Sequence, residues 1–205
     1  STLLASSAAS DVYKRQLVAH IKNTRTPFSI DFGVGDVIVP KQEKRKIPTQ
    51  FDDFISPTVN TYSLETTIAE KLDAILDLME FSSRMKDYYD IYYLANKFDF
   101  DGATLTKALK KTFENRGHSF TVEQFEQVMA FAENDAMQKK WKAFCRKIDT
   151  KTDDFNTVLK TIKEFLIEPY KAAVADIKCT KIWLANNNSW IQGGNDNDEN
   201  SICRT

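Results

Sequence analysis

Three places along the chain carry charge where apolar patterning would place none. Asp31 stands between Ile30 and Phe32, in a stretch that alternates apolar and polar residues from Phe28 onward as a strand does. Alternation turns its carboxylate to the face opposite those neighbours, where it meets either solvent or a site. Lys71 lies three residues after Ile68 and four before Ile75, at the border of a helical apolar stripe. Such a lysine either snorkels outward or points into a cleft and holds an anion. The third place is Arg84, Asp87 and Asp90, of which Arg84 and Asp87 share a helix face with Ile91 and Leu94. An Arg–Asp pair at this spacing is commonly a surface pair. Two carboxylates three residues apart could also position a lysine, a water or a metal-bound nucleotide. The neighbouring Tyr88, Tyr89, Tyr92 and Tyr93 read as core and interface material, with base stacking as the other use.

These residues need elements to hold them. Phe28 to Phe32 predicts a strand, Gly33 and Gly35 break it, and Val37 to Val39 suggests a second short one. Lys41 to Lys46 is a basic run, read as a solvated loop or a phosphate contact. Thr58 to Tyr62 alternates again. From Ser63, a plausible N-cap, the period becomes helical, with Leu64, Ile68, Leu72, Ile75 and Met79 on one face. Further helices are predicted over 83–95, 104–114, from a cap at Thr121, over 136–148 and over 154–175, the last kinked or divided at Pro169. The order, a few strands and then a run of helices, predicts an α+β fold: a partial mixed sheet followed by a C-terminal helical bundle. Residues 17–62 form the sheet unit and 63–185 the helical one, with a disordered Asn/Gly/Asp-rich tail over 186–205. Ser6 to Gln16 resembles translated sequencing-adapter DNA, so 1–16 is set aside as an artefactual or disordered leader.

Composition narrows the functional classes. The 205 residues are 42% hydrophobic, enough for a real core, and 12% aromatic. A net charge of −1 gives no global attraction to polyanions, so any nucleic acid must find a local patch. Three widely spaced cysteines and two distant histidines offer neither a disulfide framework nor a zinc site. No apolar run approaches the length that spans a bilayer, and a cytoplasmic location is the default expectation. Gly33-Val34-Gly35 is not a phosphate loop, because no Gly-Lys-Ser/Thr follows.

Three segments together resemble the AbiEii/AbiGii family of nucleotidyltransferase toxins, known from abortive-infection and type IV toxin–antitoxin systems. They are Ile30-Asp31-Phe32-Gly33-Val34-Gly35-Asp36-Val37-Ile38-Val39-Pro40, Tyr62 to Ala74 around Ala69-Glu70-Lys71, and Ser83 to Tyr92 around Lys86-Asp87-Tyr88-Tyr89-Asp90. The resemblance implies transfer of a nucleotide from an NTP, with Mg2+, to an RNA acceptor such as tRNA, and a cognate antitoxin as partner. It implies catalytic roles for Asp31, Lys71, Asp87 and Asp90. Asp31 would hold the metal, Lys71 would contact the triphosphate with Arg84 beside it, and Glu70 and Asp36 would support them from behind. The family's Gly-Ser turn and Asp-x-Asp strand pair have no counterpart before Asp31. The chain therefore reads as the C-terminal portion of such an enzyme, inactive by itself. The alternative is a non-catalytic helical module that binds an antitoxin or RNA.

Overall fold

The computed structural model describes residues 11–34, 38–49, 53–148 and 152–193. The class is α+β, as expected. The described strands pair only antiparallel, in two two-stranded sheets and one of three strands, where a partial mixed sheet was anticipated.

Strands β1 (Asp11–Ile21) and β2 (Thr24–Val34) form a hairpin in which Leu17 lies opposite Phe28 and Lys14 opposite Asp31. Its two-residue turn places Lys22 at a positive φ of 52°. The strand takes in Asp11 to Gln16, so the boundary drawn at Leu17 falls inside β1; residues 1–10 lie outside the described residues. Strands β3 (Glu43–Lys46) and β4 (Thr58–Thr61) pair next, so the basic run is largely strand rather than loop. Ile38 and Val39 are not in a strand. Val39 is buried against the helices instead, which accounts for its apolar neighbourhood without a ladder.

Six helices follow: α1 (Leu64–Leu78), α2 (Met85–Lys97), α3 (Gly102–Arg116), α4 (Val122–Met129), α5 (Asp135–Ile148) and α6 (Phe155–Val174). Their starts follow from side-chain caps. Ser63, Asp101, Thr121 and Asp154 each accept a hydrogen bond from the backbone N–H three residues on, and Thr121 and Gln124 complete a capping box. The stripe read from α1 is real: Ile68, Leu72 and Ile75 are buried, with Leu64 and Met79 packed beside them. Helix α6 is the hub. Its Ile162, Phe165, Leu166 and Tyr170 are fully buried, and it packs on α2, α3 and α4.

Helix α6 runs through Pro169 without dividing. A proline there removes the N–H that would bond to the carbonyl four residues back, at Phe165. That carbonyl accepts from Trp190 Nε1 at 3.1 Å instead. Trp190 belongs to β7 (Ser189–Gln192), which pairs with β6 (Lys181–Leu184), itself paired with β5 (Phe100–Asp101). The stretch 186–193, assigned above to a disordered tail, is thus turn and strand; 194–205 lie outside the described residues. Trp183 anchors the same sheet by donating to the Ala95 carbonyl near the end of α2, at 2.8 Å.

Candidate active site

Helices α1 and α2 bring Lys71, Arg84, Asp87 and Asp90 together. Lys71 Nζ lies 3.1 Å from Asp87 Oδ1 and 2.6 Å from Asp90 Oδ2. Arg84 Nε donates to the other oxygen of Asp87 at 2.5 Å. Lys86 joins from the outer side, 2.6 Å from Asp90. The local reasons are helical. Asp87 and Asp90 stand on the first turns of α2, where the helix dipole favours negative charge. Lys71 sits on the flank of the α1 stripe, so its stem is covered while its amine reaches across to α2. The Asp87 side chain is 5% exposed and that of Lys71 18%. Burial by itself would lower the Lys71 pKa; hydrogen bonds and charge from Asp90 and Asp87 outweigh it and raise the amine above its ordinary range. The lysine is therefore held charged. Three cations face two carboxylates, so the cluster has positive charge left over for an anion.

Of the remaining expected residues, Glu70 alone has a described side chain. Asp31 lies on β2, and its side chain, like the whole of Asp36, lies outside the described residues. Glu70 looks toward α3, where Arg116 Nη2 stands 3.8 Å away. It borders a second network that the sequence reading missed. There Asp73, with a side chain 1% exposed, receives Arg116 Nη1 at 3.0 Å and faces His118 Nδ1 at 2.8 Å. Asp73 follows the buried Leu72 directly, which is a weak sign of an acid at the edge of a core. Nothing local links it to Arg116 and His118, more than forty residues away.

Two further contacts fix the surroundings. Ser63 Oγ donates to the Val39 carbonyl at 2.6 Å, and Val39 N donates to Thr66 Oγ1 at 2.8 Å. The first turn of α1 thereby grips the segment that leads away from the Asp31 strand. Lys140 of α5 donates to the carbonyls of Glu80 and Ser82, at 2.9 and 3.0 Å, and steadies the link between α1 and α2.

Metal binding fits this cluster poorly. Both carboxylates are already neutralised by amines and a guanidinium, and no group of three His, Cys, Asp or Glu side chains among the described residues is placed to hold an ion. No described helix is long and apolar enough to cross a membrane.

No curated protein and no solved structure matches the chain. A family does: the one described as "Nucleotidyl transferase AbiEii toxin, Type IV TA system" matches residues 5–166, which take in the hairpin, the Lys71 cluster and most of α6. The chain therefore belongs to the AbiEii nucleotidyltransferase toxin family of type IV toxin–antitoxin systems.

Proposed function

We propose that the Lys71 cluster receives the triphosphate of an NTP whose nucleotide is transferred to an RNA acceptor, tRNA being the favoured class. The observation that carries this is one charged amine shared by Asp87 and Asp90, in a cluster with one positive charge to spare. A lysine held by two carboxylates is oriented before the ligand arrives, which is the form electrostatic stabilisation of a phosphoryl group takes. Asp87 and Asp90 act as positioning residues for Lys71, and Arg84 meets the phosphates from its exposed side of Asp87. In this reading Asp31 would be the residue to hold the divalent metal, magnesium in our reading, that would neutralise charge on the NTP, and the antitoxin is a separate partner.

The 205 residues contain no Asp-x-Asp pair ahead of Asp31. Assayed alone, the chain is expected to bind NTP without transferring it. Titration of a fluorescent ATP analogue and of its GTP, CTP and UTP counterparts tests the first half. Saturable binding lost in Lys71→Ala supports the reading; binding indifferent to Lys71→Ala and Arg84→Ala sinks it. Incorporation of labelled nucleotide into RNA by the chain alone, abolished by Asp31→Ala, would overturn the second half.

A further inference from the structure

A second site stands on the far side of α2 from this cluster. A cavity of about 660 Å3 lies between α5 and the start of α6, lined by Trp141 and Phe155 with Lys142, Arg146 and Asn156. A smaller recess of about 260 Å3, bordered by Tyr89, Tyr92 and Tyr93, meets it at Thr152 and Asp153. Three features define what would fit.

Charge comes first. Helix α5 carries Lys139, Lys140, Lys142, Arg146 and Lys147 against Asp135 alone, in a chain whose net charge is −1. Lys140 is engaged by backbone carbonyls. Lys142 and Arg146, one turn apart on the same face, form no ion pair among the described residues, and Arg146 Nε donates to the Lys142 carbonyl at 3.3 Å with its outer nitrogens left for an anion. Aromatic surface comes second. Tyr89 and Tyr93 stack with centroids 6.3 Å apart, and Tyr93 is 49% exposed, so aromatic surface is accessible beside the recess. Third, the carboxylates present are already engaged. Asp153 accepts from the Tyr92 hydroxyl, and Asp154 caps α6 through Thr157 N at 3.0 Å. They oppose a phosphate deep in the cavity and suit an exocyclic amino group of a base.

The geometry points to this cleft as a binding site for single-stranded RNA, with an unpaired base against Tyr93 and adjoining phosphates on Lys142 and Arg146. Stacking faces beside unpaired cations are how single strands are held, and a duplex cannot present a base to a recess. The inference leans on the nucleotidyl-transfer reading only for what the bound RNA is used for.

Fluorescence anisotropy with a short labelled single-stranded RNA, and with a hairpin duplex as comparison, tests it on the full chain. Binding of the single strand is expected to weaken with salt, and to fall about tenfold or more in Lys142→Glu with Arg146→Glu. Tyr93→Ala should cost about tenfold and Tyr93→Phe little, because the ring and not its hydroxyl is used. All these residues are surface-exposed or half-exposed, and circular dichroism of each variant checks the fold. Equal affinity for the duplex, or no change when both cations are reversed, overturns the site. Lys71→Ala keeps RNA binding and loses NTP binding if both readings hold. NTP binding without RNA binding removes this inference alone, and RNA binding without NTP binding removes the triphosphate reading alone.

Discussion

Asp87 depends on its neighbours more than any other charged residue of the Lys71 cluster. Its side chain is 5% exposed, and its two oxygens are held by Lys71 and Arg84. Taking away one cation leaves a nearly buried carboxylate with half of its compensation, whereas taking away the whole pair removes the problem with the benefit. Lys71→Met is therefore expected to lower stability by about 1–3 kcal/mol in urea unfolding near neutral pH. Lys71→Met with Asp87→Asn should cost less than the two single changes added, since they share one interaction; strict additivity would show that the two residues do not depend on each other. The pH dependence has a definite sign. Lys71 is raised in the folded state, so its contribution is fully present below the ordinary lysine range and is lost as pH climbs through the raised value. Burial, then the hydrogen bond that Tyr92 donates to Asp153, push Tyr92 up to about 12, so the unfolded chain ionises this tyrosine first and stability again falls as pH rises toward that value. Both groups predict a steady stability from neutral to about pH 9 and a decline beyond it. Tyr92→Phe should make the alkaline decline shallower, and an unchanged profile would show that the Tyr92–Asp153 bond contributes nothing.

Helix α6 and the C-terminal sheet correct each other. Pro169 leaves the Phe165 carbonyl without its helical donor, and Trp190 supplies one from β7. Trp190→Phe deletes the donor and shrinks the indole to a phenyl ring, so it should cost about 1–2 kcal/mol for the bond, with a packing loss against Phe165 and Trp183 added. In a Pro169→Ala background the helix can satisfy Phe165 itself, and the same change should then cost clearly less; equal costs in both backgrounds would break the link. Gly102, at the start of α3, is constrained by the same sheet. A Cβ there would lie 2.6 Å from both Cys179 Sγ and the Lys181 carbonyl, so Gly102→Ala must displace backbone and is expected to lower the thermal midpoint by several degrees. These relations explain what could be read in advance. The helices were legible because their caps and apolar stripes are local: Ser63 with Ile68, Leu72 and Ile75, or Thr121 with Gln124. Lys71, Asp87 and Asp90 were legible for the same reason, as charges beside those stripes. Trp190 over Pro169, and Arg116 with His118 on Asp73, join residues more than twenty positions apart, and spacing along one chain carries no sign of them. The first half of β1 was not legible because Ser6 to Gln16 resembles translated adapter DNA, while Asp11 to Gln16 become strand by pairing with the distant half of β2.

Across the molecule, α1 and α6 set the frame. α1 faces α2 with Lys71 and α3 with Asp73, so one helix fastens both neighbours through charged groups on either side of a buried Ile68–Leu72–Ile75 stripe. α6 fills the centre behind it. The β1–β2 hairpin has a different character. Its strands pair only with each other among the described residues, and Leu17 and Phe28, opposite one another, are each 43% exposed. A two-stranded hairpin with an open apolar pair draws little stability from its own ladder. Opening free energies should therefore differ sharply along the chain. In native-state hydrogen exchange of the full chain, amides of α1, α3 and α6 should exchange slowest, and those of β1 and β2 faster by orders of magnitude. Adding ATP should slow exchange in α1 and the first turns of α2, where the Lys71 cluster sits, and leave the centre of α6 unchanged. Matching protection of hairpin and bundle would mean that the hairpin shares the helical core. ATP-induced protection confined to α5 would move the triphosphate away from Lys71 and onto the basic helix.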